Sequence, residues 1–203
     1  MKEYVARYLP TAPAASDPVW QTVPATPVAA VWEGENAHPS PYATAVRLVH
    51  SPEGLTARYE TNEWPLRAHH TLPNEEICED SCMEFFFTPN LVDAAYINIE
   101  VNPLGVPHVG IGESRHGRRL LDVTAEDLRI ETSVTYGRGW SMTVHVSYAF
   151  IDRHFTSHGR EMRANFYKCG DRTVRKHFSV WSPIGTEKPD YHQPAFFGRI
   201  VLE

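Results

Sequence analysis

A chain of 203 residues, 42% hydrophobic and 22% charged, has ordinary globular proportions. It is long enough for one sizeable domain and short for two, and its composition excludes an intrinsically disordered chain. No apolar run approaches the ~20 residues that cross a bilayer as a helix, and a formal net charge of -6 argues against a phosphate-backbone partner, which needs clustered Lys and Arg. Neither a membrane nor a nucleic acid is therefore an expected partner; the oligomeric state is left open.

Prolines at positions 10, 13, 18, 24 and 27 rule out regular helix up to about Trp32 and favour extended backbone. The expectation is an arm over residues 1–31 laid across a body at 32–203, pinned by Trp20 and Trp32. The stretch Met1 to Arg7 carries no continuous apolar segment and no small-residue cleavage site, so a cytoplasmic location is expected. Three cysteines leave at least one unpaired, and Cys78 and Cys82 do not form a C-x-x-C motif, so no disulfide framework is implied.

Val46 and Leu48, then Leu55, Ala57 and Tyr59, alternate with polar residues on either side of Ser51-Pro52-Glu53-Gly54, which predicts a hairpin. The polar segment Thr61 to Asp80 is too long for a tight connection, and long loops in compact domains are commonly functional. It holds Trp64, the pair His69-His70 and the acidic run Glu75 to Asp80. That run reads first as a solvated loop; its oxygens, Glu79 and Asp80 above all, are weak candidates for calcium. The histidines lack zinc-motif spacing and no other metal site is expected.

Met83 to Phe87 reads as a buried strand, and Glu84 within it needs a partner, because a buried carboxylate is costly alone. Ala95 to Asn102 alternates strictly. Ala95, Ile97, Ile99 and Val101 share one face of the predicted strand, while Tyr96, Asn98, Glu100 and Asn102 share the other. The second face is either the solvated side of a sheet or the floor of a site for a polyhydroxylated ligand. The basic patch Arg115-His116-Gly117-Arg118-Arg119 reads as a loop at the rim of such a site, with Arg115 a candidate contact.

Strands follow at Val106 to Ile111, Leu128 to Tyr136, Trp140 to Ser147, Met162 to Asp171, Phe178 to Ile184 and Phe196 to Leu202, with room for one helical turn in Tyr148 to His158. Along the strand from Met162, Ala164, Phe166 and Lys168 share a face opposite Asn165 and Tyr167. Asn165 and Lys168 are candidate ligand contacts; the alternative for Lys168 is an internal ion pair with Glu84 or Glu100. Many short, evenly spaced strands and no convincing 3.6-residue period predict an all-β fold. The expected form is an antiparallel two-sheet β-sandwich, jelly-roll-like with immunoglobulin-like layers.

The succession Glu79-Asp80-Ser81-Cys82-Met83-Glu84-Phe85-Phe86, Tyr96-Ile97-Asn98-Ile99-Glu100-Val101-Asn102-Pro103-Leu104-Gly105, Trp140, Asn165-Phe166-Tyr167-Lys168-Cys169-Gly170-Asp171, Trp181-Ser182-Pro183-Ile184 and His192-Gln193-Pro194-Ala195-Phe196-Phe197-Gly198 resembles the family 9 carbohydrate-binding modules. More narrowly, it resembles the stand-alone family 9-like bacterial proteins of the DOMON-like superfamily. The resemblance runs from about Trp32 to the C-terminus. It implies a non-catalytic sugar-binding sandwich that clamps a terminal sugar between two tryptophans, roles that Trp64 and Trp181 would fill. It implies no required cofactor, sometimes a structural calcium, and relatives that are often secreted or periplasmic. Some DOMON relatives bind haem, but this chain offers no fixed axial pair. The alternative function is a glycoside hydrolase or other sugar-modifying enzyme using Glu84 and Glu100 as its carboxylate pair. No nucleophile elbow, P-loop or dinucleotide fingerprint is present.

Overall fold

The computed structural model describes residues 2–203. Its strands are β1 (Glu3–Tyr8), β2 (Thr26–Pro27), β3 (Thr44–Ser51), β4 (Gly54–Thr61), β5 (Cys82–Thr88), β6 (Tyr96–Val101), β7 (Pro107–Gly112), β8 (Arg119–Leu120), β9 (Leu128–Thr135), β10 (Gly139–Ser147), β11 (Glu161–Gly170), β12 (His177–Val180) and β13 (Gly198–Leu202). The one α-helix among the described residues, α1 (Tyr148–Asp152), falls in the predicted helical turn; the Ser147 hydroxyl caps it by accepting from Phe150 N at 3.1 Å. The all-β reading therefore holds.

The strands run in the order β8-β7-β6-β5-β11-β13-β1-β3-β4-β10-β9, with β12 added on β11 and β2 on β3. The seam is β1. Its first residues pair in parallel with β13, Tyr4 opposite Ile200, and its last pair in parallel with β3, Arg7 opposite Val49. This corrects two expectations. The N-terminal segment is not an arm laid on the outside as a whole, and the pairing is mixed instead of purely antiparallel. The prolines begin only at Pro10, so Glu3–Tyr8 keeps every backbone N–H for the ladders. Tyr4 and Ala6 are buried while Val5 between them is exposed, as alternation on a strand requires.

The predicted hairpin is β3–β4, in register to Ser51 opposite Gly54. Val46, Leu48, Ala57, Tyr59, Met142 and Val144 from the β3-β4-β10 side pack in one core with Met83, Phe85, Phe87, Ile97, Ile99 and Phe166 from the β6-β5-β11 side. The Tyr59 hydroxyl crosses that core to donate to Glu84 O at 2.7 Å. A second apolar cluster, including Trp32, Cys82, Phe86, Tyr96, Tyr167, Cys169 and Tyr191, covers the other face of β5, β6 and β11. That face is consequently closed in by loops and is not washed by solvent.

Candidate functional site

Alternation along β5, β6 and β11 turns Cys82, Glu84, Tyr96, Asn98, Glu100, Asn102, Asn165, Tyr167 and Cys169 away from the main core. The ladders then place Glu84 opposite Glu100, Cys82 opposite Cys169 and Glu100 opposite His108. Over these residues lies a cavity of ≈ 230 Å³. Glu84, Glu100 and Cys169 line its floor, Glu76 and Cys78 one wall, and Arg115 and Arg118 the basic loop. Asp171, Phe178, Tyr191 and His192 complete the enclosure. Drug-sized ligands occupy pockets of roughly 300–1,000 Å³, so this volume suits one small polar unit.

The floor is acidic and poorly neutralised. Burial, and then the neighbouring Glu100, push the Glu84 carboxyl well above the usual carboxylate range; Cys169 Sγ donates to its Oε1 at 2.9 Å. Burial also raises Glu100, opposed by His108 and Arg118. Asn98 bridges floor and rim, donating through Nδ2 to Glu100 Oε1 at 3.1 Å and accepting at Oδ1 from Arg118 Nη1 at 3.0 Å. That bridge needs Gly110 on β7, where a Cβ would lie 2.8 Å from Asn98 Oδ1. His108 Nδ1 meets the Glu75 carbonyl at 3.0 Å; a carbonyl only accepts, which leaves Nε2 of a neutral ring as an acceptor.

The mouth is tied by Arg115, whose Nε and Nη2 donate to Asp190 Oδ1 at 3.0 and 2.8 Å. Burial works against ionisation of Asp190, but hydrogen bonds from Gln193 and Arg115 hold it below its ordinary range. Burial and the two arginines lower His192 to about 3, and its Nδ1 shares a hydrogen bond with the Tyr96 hydroxyl at 2.8 Å.

Of the residues singled out in the sequence, Glu100 and Arg115 line the cavity and Asn98 holds both its floor and its rim. Tyr96 is consumed by His192 and by its packing on Phe86. Asn102 is structural: it donates to His70 O and Asp80 Oδ2 and accepts from Leu104 N and Val106 N. Asn165 likewise spends its amide on Ser182 O, Ser182 N and its neighbour Phe166 N.

Lys168 points to the opposite face, into the core, where Nζ lies 2.8 Å from Glu63 Oε2; the internal ion pair exists, but with Glu63 in place of Glu84 or Glu100. The expected tryptophan clamp does not form. Trp181 is 1% exposed, packs on Phe166 and donates to Thr26 Oγ1 at 3.0 Å. Trp64 is half-buried against the Tyr136 ring and does not line the cavity.

The acidic run does not suit calcium. Asp80 accepts from His69 N, His70 N and Asn102 Nδ2 and faces Arg67, while Glu79 pairs with Arg172 and His70. Those oxygens already carry N–H donors. Metal-type donors instead converge at Cys82, Glu84 and Cys169. Glu76, Cys78, His108, Arg118, Asp171, Phe178, Tyr191 and His192 join the site without a sequence signal of their own, apart from the basic patch around Arg118, which reads as a rim.

A family model described as carbohydrate-binding family 9 matches residues 21–202. No curated protein matches. Among solved structures, a Bacteroides uniformis protein proposed to bind carbohydrate is 25% identical, with a TM-score of 0.86, over 100% of this chain and 99% of its own. A family 9 carbohydrate-binding module from Caldicellulosiruptor kristjanssonii in complex with glucose is 13% identical, with a TM-score of 0.70, over 100% of this chain and 96% of that one. The same organism's module with cellotriose gives 12% identity and a TM-score of 0.68, covering 100% and 94%.

Proposed function

Since the chain belongs to carbohydrate-binding family 9, we propose that it is a non-catalytic carbohydrate-binding protein that takes one sugar unit into the cavity above Glu84 and Glu100. The observation that carries this reading is the enclosure of carboxyl acceptors and guanidinium donors in one hollow of ≈ 230 Å³. A sugar unit offers hydroxyls that both donate and accept, so a carboxyl floor opposite arginine side chains can engage several of them. The half-buried Phe178 supplies an apolar wall. Glucose and cellotriose, the ligands of the Caldicellulosiruptor modules, are the first sugars to try.

Glu84 and Glu100 also line one cavity as a glycoside hydrolase would require, but they are register partners on adjacent strands. Both therefore meet a ligand from the same side, whereas hydrolytic carboxyls flank the scissile bond. Binding without turnover is the reading this arrangement favours. Calorimetric titration with glucose, cellobiose and a panel of other mono- and oligosaccharides tests it. Binding that weakens at least tenfold in Glu100→Gln is expected; no heat from any sugar at millimolar concentration overturns the reading.

A further inference from the structure

Among the described residues, Glu84 is a buried carboxyl with no cation beside it; its one side-chain hydrogen-bond partner is the Cys169 thiol. Glu84 is 2% exposed, its neighbour across the β5–β6 ladder is Glu100, 6% exposed, and among the described residues neither has a basic group within ion-pair distance. Buried carboxylates are ordinarily paired with a cation or bound to a metal. The nearest buried cation on β11, Lys168, faces the other way and is held by Glu63.

The groups that do surround Glu84 are thiols. Cys82 and Cys169 stand opposite each other across the β5–β11 ladder, and Glu84 follows Cys82 by two residues on the same face. The two sulfurs and a Glu84 oxygen all lie within 4.8 Å of one another, and Cys169 Sγ is 2.9 Å from Glu84 Oε1. Tetrahedral zinc, with Zn–S near ~2.3 Å and Zn–O near ~2.1 Å, holds neighbouring ligand atoms about 3.5 Å apart. The donors, one pair at 2.9 Å and all within 4.8 Å, bracket that spacing.

We propose that Cys82, Glu84 and Cys169 form a zinc site in the floor of the cavity, three protein ligands with the fourth position turned toward the cavity. A pair of thiolates selects zinc over calcium and magnesium, which prefer oxygen alone. Glu84 and Cys169 both reach the cavity surface, so the fourth position is open to water or to a ligand hydroxyl. The two thiols bind as thiolates and Glu84 as a carboxylate, and the protons these groups hold leave to solvent on metal uptake. The site stands on the donor geometry and does not depend on the sugar reading.

The test is titration of the reduced, chelator-treated full chain with Zn²⁺ by calorimetry and with Co²⁺ by absorption spectroscopy, without sugar. One equivalent of zinc is expected, with cobalt showing thiolate charge-transfer bands and a tetrahedral ligand-field spectrum. Cys82→Ser and Cys169→Ser should each abolish those bands and Glu84→Gln should weaken binding at least tenfold. Ca²⁺ and Mg²⁺ should not compete. If either cysteine variant fails to fold, the wild-type cobalt spectrum decides. Absence of thiolate bands, or no zinc uptake at micromolar metal, overturns the proposal, as does unchanged binding in folded Cys82→Ser/Cys169→Ser.

Discussion

Lys168 and Glu63 form an ion pair with both side chains 0% exposed and Nζ 2.8 Å from Oε2. Lys168 Nζ also donates to Cys169 O at 2.7 Å and meets His177 Nε2 at 2.8 Å. Glu63 in turn accepts from Ser81 Oγ and Trp140 Nε1. The network ties β11 to β10 through a residue of the loop after β4. Removing one partner of a buried pair strands the other charge, which costs about 3–5 kcal/mol. Lys168→Met should lower stability by that amount in denaturant titration, and Lys168→Met/Glu63→Gln should recover part of it. A single variant as stable as wild type would show that the pair does not stabilise the fold.

Trp181 makes a second contrast between stability and binding. Truncating a buried tryptophan costs about 3–5 kcal/mol through lost packing and the cavity left behind, so Trp181→Ala should unfold earlier while its folded fraction binds ligand as wild type does. The indole lies on Gly198, where a Cβ would come 2.3 Å from Trp181 Cζ3 and 2.9 Å from Lys2 O. Gly198→Ala should therefore destabilise by about 1–3 kcal/mol, as overpacking does. Trp181→Phe should relieve part of the Gly198→Ala loss, which a double-mutant cycle measures. Normal stability with lost binding in Trp181→Ala would return the indole to the ligand site.

The face of β6 was legible because its alternation is strict, and so was the buried run of β5 with its odd carboxylate. What covers that face was not, since the residues that wall the cavity come from loops at positions 76–78, 115–118 and 189–192, far apart in the chain and without a shared period. β1 was missed because a proline count over thirty residues masked a six-residue strand that precedes the first proline. The thiol cluster was invisible for a simpler reason: Cys82 and Cys169 meet only through the β5–β11 register, which local spacing does not encode. Lys168 pointed correctly to a buried partner, yet Glu63 lay in a loop whose position only the folded chain fixes.

Arg115 separates binding from folding at the mouth of the cavity. Its side chain is 50% exposed and its pair with Asp190 is solvated on one side, so the ion pair contributes no more than about 1 kcal/mol to stability. As a donor lining the cavity it matters more to a bound sugar. Arg115→Ala should change the unfolding midpoint little and weaken sugar binding by about tenfold, roughly 1.4 kcal/mol. Calorimetry beside thermal denaturation distinguishes the two effects; unchanged affinity would remove Arg115 from the binding surface.

Acid should destabilise the protein partly through His177. Burial and the adjacent Lys168 lower this histidine from 6.5 to about 4, and its surroundings fix the neutral ring: Nε2 faces Lys168 Nζ, Nδ1 donates to Arg175 O at 2.7 Å, and the Tyr42 ring packs on its side. Glu63, at 3.8 Å from Nε2, favours the proton but is outweighed. Between pH 6.5 and 4 the unfolded chain binds a proton that the folded chain refuses, so the stability from this residue is complete above pH 6.5 and is lost as pH falls through the window. The full effect is about 3 kcal/mol. Glu84 and Glu100, with carboxyls raised in the fold, act in the opposite sense, so the readout is the difference between wild type and His177→Gln across pH 4 to 7. The glutamine variant, able to accept from Lys168 without titrating, should lose less stability over that range; identical slopes would show that His177 is not the group that responds.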